Sequence, residues 1–230
     1  MNSLRKILAM VCVMIILGSI APSLAGSGSY AIRKAHREGT WDFILPLNYA
    51  EEIKIEGKGG SSAELNDDFG FGFGLGYNLN DHFQLSGLLQ WNSRNYDATV
   101  IHEDDSTGRY GGYIETFNLG LNGTYYFMDG AFTPFISGLF GHTWVDTNIQ
   151  DGPTTGVCWY DPWWGYICDY YTPTKTESDW VYGAGLGIRY DVNNQFGIQC
   201  SYNKNYMDFD NSSETPDLNS WRLDFIFRMF

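Results

Sequence analysis

From residue 39 onward apolar side chains fall on every second position, and this alternation is renewed eight times along the chain. Trp41, Phe43, Leu45, Leu47 and Tyr49 share one face of the first segment. In the second, Phe71, Phe73, Leu75, Tyr77 and Leu79 alternate with Gly70, Gly72, Gly74 and Gly76. A period of two rather than 3.6 belongs to strands whose two faces meet different surroundings. Further segments run from Phe83 to Trp91, Phe117 to Phe127, Trp180 to Tyr190, Phe196 to Tyr202 and Trp221 to Phe227. The remaining one, roughly 132–146, opens on Thr133-Pro134-Phe135 and is the least regular.

A water-soluble sandwich alternates too, because one face of each sheet is wet. The connections argue for something else. Residues 56–68, 102–112, 147–178 and 209–219 form long links, whereas 80–82, 128–131 and 192–195 are tight. Strict alternation of long and short links is the habit of transmembrane barrels, with short turns inside and long loops outside. Large aromatics also sit near segment ends, where membrane-interface girdles lie. The expected fold is therefore all-β: an eight-stranded antiparallel up-and-down transmembrane β-barrel.

The same alternation assigns faces. A cation facing lipid at mid-membrane costs about 2–4 kcal/mol. Arg189, Arg222 and Arg228 are thus expected in the lumen, with Asp224 as their counter-charge. Eight strands enclose a space that side chains can fill, so no open aqueous pore is expected.

At the N-terminus, Arg5 and Lys6 precede an uncharged apolar run from Ile7 to Ile20, followed by Ser23-Leu24-Ala25. This reads as a signal peptide over 1–25, cut between Ala25 and Gly26. Residues 26–38 then form a periplasmic segment and 39–230 the barrel. Cleavage removes two of 14 basic residues and none of 27 acidic ones, leaving a net charge of −15. So acidic a protein is not expected to neutralise nucleic-acid phosphates. Export also favours a Cys158–Cys168 bridge, with Cys200 left unpaired on the lipid face.

Several motifs together resemble a known family. They are Gly39-Thr40-Trp41-Asp42-Phe43, the hairpin from Phe71 to His82, Thr133-Pro134-Phe135, and the closing run from Asp217 to Asp224. The chain is similar to small outer-membrane β-barrel domains of the OmpW-like and OmpA-like kind. That resemblance implies an outer-membrane location and either a narrow hydrophobic passage or a structural brace.

Catalysis finds little support. His142 is followed by Thr143, not by the serine of a lipid A deacylase pair. The cluster from His102 to Ser106 reads as a solvated loop, and His36 and His82 carry no partner motif. No catalytic residue, metal set or cofactor is expected. The acidic loops keep the surface soluble, or bridge divalent cations to lipopolysaccharide.

The densest aromatic run is Cys158-Trp159-Tyr160-Asp161-Pro162-Trp163-Trp164-Gly165-Tyr166-Ile167-Cys168. Trp159, Tyr160, Trp163, Trp164 and Tyr166 form a candidate contact loop, and the bridge is expected to present Trp159, Trp163 and Trp164 as one rigid apolar surface over the barrel mouth. The sequence thus points to a monomeric barrel in outer-membrane lipid and lipopolysaccharide. It is structural, or passively permissive to small hydrophobic molecules. A surface binding or adhesion module is the alternative, and a lipid-modifying enzyme comes third.

Overall fold

A computed structural model describes residues 36–56, 62–101, 107–207 and 217–229. The expected signal peptide, the cluster from His102 to Ser106, and Phe230 lie outside these residues. Among the described residues twelve strands follow one another: β1 Trp41–Ala50, β2 Ile53–Glu56, β3 Ser62–Leu65, β4 Asp68–Asn78, β5 Phe83–Ile101 and β6 Thr107–Tyr126. Then come β7 Phe132–Gln150, β8 Thr155–Asp161, β9 Gly165–Tyr171, β10 Thr174–Asp191, β11 Phe196–Met207 and β12 Asp217–Met229.

Eight of them close a ring, β1-β4-β5-β6-β7-β10-β11-β12, and β12 returns to pair antiparallel with β1. Trp41 faces Met229 and Ala50 faces Ser220 across that seam. The four remaining strands decorate the loop end. β2 and β3 extend the wall beside β5, and β8 with β9 form a separate two-stranded hairpin. The long links are therefore shorter than their sequence suggested. β5, β6, β7 and β10 each run to 18–20 residues and stand well above the other strands. A strand needs only about 9–11 residues to cross a bilayer, so the surplus rises past it.

The outward register is apolar and open. Leu121, Ile136, Leu186 and Phe73 are about half exposed, a band that a water-soluble protein would have to cover. Aromatic girdles bound it at both ends. At the loop end, Phe71, Trp91, Phe117 and Trp144 stand ring to ring at 5.1–5.9 Å. At the turn end, Trp41 meets Tyr77 at 4.9 Å and Phe196 meets Phe227 at 5.4 Å. The seventh strand, irregular in sequence, settles with Thr133, Phe135, Ser137, Thr143 and Val145 inward. His142 consequently points outward, between the rings of Trp144 and Trp180.

Two local features follow from single residue types. Pro46 has no N–H to give, and the β1–β4 ladder lapses between the Ile44–Gly74 and Leu47–Phe71 pairs. At Gly187, a Cβ would meet the Phe135 ring at 2.6 Å, so the small residue lets that ring into the lumen.

Candidate functional site

The lumen has two unlike halves. At the turn end it is filled by ionic side chains. Arg189 is completely buried and donates through Nη2 to Asp42 Oδ2 at 3.0 Å and through Nε to Asp191 Oδ1 at 3.1 Å. Its Nη1 donates to the Tyr126 hydroxyl at 2.8 Å. Arg228 repeats the pattern, reaching Asp42 at 3.3 Å and Asp191 at 3.0 Å. Gln84 and Gln199 complete the layer: Gln84 donates to Asp42, and Gln199 to Asp224. Nearly every charge here has an opposite partner and further hydrogen bonds, the condition under which buried ions are tolerated.

Arg37 seals this plug from below. It precedes β1, is fully buried, and pairs with Asp191 at 2.7 Å. Its other N–H groups reach the carbonyls of Asp81, Met128 and Gly130. Asp81 belongs to the first tight turn and the other two carbonyls to the second. Tyr126 lies under both Arg37 and Arg189, whose guanidinium carbons stand 4.9 and 5.2 Å from its ring centre.

Two of the three expected lumen arginines, Arg189 and Arg228, need a corrected partnership. Asp224 pairs with Arg222 alone, at 3.1 Å, while Asp42 and Asp191 neutralise Arg189 and Arg228. Asp42 was legible, since it shares the inward parity of β1 between Trp41 and Phe43. So was Asp191, two residues from Arg189. Nothing in the sequence marked Arg37, which lies before the alternation starts.

Above the plug the lumen opens into a cup of about 530 Å³. Its collar is apolar: Val145, Val181 and Met207 pack together, with Ile114 and Leu218 against them. Its floor is polar and includes Asn48, Asn92, Asn118, Asn203, Ser220 and Arg222. Arg94 stands at the rim, where it donates to the carbonyls of Glu51, Leu65 and Asn66 and so ties the β2–β3 extension to the wall. Beside it, hydrogen bonding to Glu64 pushes the Glu52 carboxyl above its ordinary pKa.

The aromatic loop stands apart from this cup. Cys158 and Cys168 are bonded and directly paired across β8 and β9. Asp161 Oδ1 accepts the N–H groups of Trp163 and Trp164 at 2.8 and 2.9 Å. Gly165, with φ near +77°, completes the turn where a side chain would be strained. Alternation then separates the aromatics: Trp159 and Ile167 lie on one face, Tyr160 and Tyr166 on the disulfide's face. Trp163 and Trp164 at the tip are 87% and 80% exposed, and none of the five contact residues lines the cup. Of the three tryptophans expected to form one surface, Trp159 lies on the face away from the disulfide and Trp163 and Trp164 stand at the tip. Replacing Trp163 and Trp164 together by alanine is expected to change barrel stability by less than about 0.5 kcal/mol. Urea titration of the folded fraction checks this. Cys200 holds its outward register between Ile188 and Leu223. It is not a free thiol, contrary to expectation, since register alone is silent on thiol pairing.

Comparison with known proteins places this architecture. No curated protein sequence matches the chain. Among solved structures, OprG from Pseudomonas aeruginosa is similar in fold, with a TM-score of 0.54 and 14% identity. The match covers 85% of this chain and 98% of OprG. Ail of Yersinia pestis, solved in complex with the heparin analogue sucrose octasulfate, gives a TM-score of 0.48 at 13% identity over 84% of this chain and 99% of Ail. The family model for the outer membrane protein beta-barrel domain matches residues 24–228, nearly the whole sequence. The chain belongs to that family and is a protein of the bacterial outer membrane.

Proposed function

We propose that this barrel admits small hydrophobic molecules from the cell exterior into its cup. The observation that carries the reading is the division of the lumen. An apolar collar faces outward, while a layer of paired arginines and aspartates fills the way to the periplasm. An apolar solute gains by leaving water for the collar, whereas a hydrated ion meets a packed floor. A cup of about 530 Å³ lies within the usual range for small-ligand sites, about 300–1,000 Å³.

The test uses the refolded barrel in liposomes. Saturable uptake of an apolar dye is expected, without stepwise ion conductance. Val181→Arg, which puts a charge into the collar, is expected to abolish uptake while leaving the heat-modifiable gel mobility of the folded barrel intact. Steady ionic conductance with no dye uptake would reject this reading.

A second reading rests on the exposed hairpin. Aromatic residues this open to solvent mark contact surfaces, so β8 and β9 serve surface binding or adhesion. Deleting residues 155–171 separates the two readings: adhesion would be lost, and uptake into the cup retained.

A further inference from the structure

The cup is not uniformly apolar, and its chemistry says which hydrophobic molecules suit it. Resting on the cup reading above, we propose that its ligands are single-chain anionic amphiphiles, bound with the head group on the Arg222 floor and the tail in the Val145–Val181–Met207 collar.

Three observations converge on this. The first is charge. Among the described residues lining the cup, Arg94, Lys175 and Arg222 outnumber Glu177, although the whole chain carries −13. Taken with the plug beneath it, Arg222 belongs to a layer in which the buried Arg37, Arg189, Arg222 and Arg228 exceed the buried Asp42, Asp191 and Asp224 by one. A single negative head group would balance that layer. Arg222 is the member of the layer that lines the cup, and among the described residues only its Nε is engaged, with Asp224. The flat guanidinium therefore keeps donors for an anion.

The second is the state of the floor amides. Asn92 and Asn118 line the cup, and each has a buried Oδ1 with no hydrogen-bond partner among the described residues. Asn118 uses its Nδ2 on the Thr143 hydroxyl at 2.6 Å. Both oxygens are enclosed by protein, so the groups left to meet a head group are the amide nitrogens. A purely apolar ligand would leave such groups unsatisfied, which is costly inside a barrel.

The third is the order of the layers. The apolar collar lies above the polar floor, so a tail and a head can each find their match only with the head inward.

The experiment measures displacement of a fluorescent apolar probe from the refolded barrel in lipid nanodiscs, by decanoate, decyl phosphate and decanol. Both anions are expected to bind about tenfold more tightly than decanol, the scale of one charge-assisted hydrogen bond. The tighter of the two anions identifies a carboxylate or a phosphorylated source. The double variant Arg222→Gln with Asp224→Asn, which removes both ions together, is expected to bind all three equally. Equal binding of decanol and the anions by the unaltered barrel would overturn the proposal and leave the cup reading standing. No displacement by any of the three would overturn both. Loss of anion preference in Arg94→Gln, with preference kept in the double variant, would overturn the head-inward orientation.

Discussion

Replacing Arg189 by methionine is expected to destabilise the folded barrel by about 3–5 kcal/mol. Its guanidinium holds Asp42 at 3.0 Å and Asp191 at 3.1 Å, and both carboxylates are almost completely buried. Without it, two buried anions share fewer cations and the Tyr126 hydroxyl loses its donor. Breaking a buried pair costs far more than the pair contributes relative to a neutral substitute, because the remaining charge has no water to return to. Arg189→Met combined with Asp42→Asn should therefore recover much of the loss. Urea-driven unfolding in lipid, followed by tryptophan fluorescence, checks both variants. A loss below about 1 kcal/mol for the single change would mean that water reaches the plug, contrary to the packing described.

The second large effect lies on the other face of the wall. Leu121 is 60% exposed midway along the membrane-crossing part of β6, between Phe117 and Tyr125 of the two girdles. An arginine there would meet hydrocarbon and is expected to lower stability by about 2–4 kcal/mol. Asn203→Arg instead places the charge at the polar cup floor, where space and amide partners exist, and should cost much less. Comparing the folded fraction of the two variants under one set of conditions measures the difference. Equal losses would contradict the register.

The architecture was readable from the sequence because its determinant is local. Each strand declares its inner and outer faces through neighbours two residues apart, as Phe71, Phe73 and Leu75 do against Gly72 and Gly74. Strand count and the placement of Arg189, Arg222 and Arg228 followed from the same rule. What alternation cannot carry is partnership across the lumen. Arg228 meets Asp42 over a separation of 186 residues and Arg37 meets Asp191 over 154, and no periodicity encodes such pairs. Nor does it tell a loop from a strand that continues beyond the bilayer, which is why β7 and β10 run further than their apolar patterns. The faces of the β8–β9 hairpin were hidden for a related reason. Density of aromatics in a run of sequence says nothing of how two paired strands divide them between faces.

The reach of Arg37 bears on how the barrel comes to be finished. This residue precedes the first strand, yet its partners lie at the ends of β4, β6 and β10 and in the turns that follow. Asp42, in the first strand, waits for Arg228 in the last. While the ring is open, Arg37 lacks Asp191 and Asp42 lacks Arg228. When β12 meets β1 these ionic pairs come within reach. The plug thus rewards a complete circuit and gives little to any partial one, so closure should proceed in a single cooperative step despite the long sequence separations that ordinarily slow such topologies.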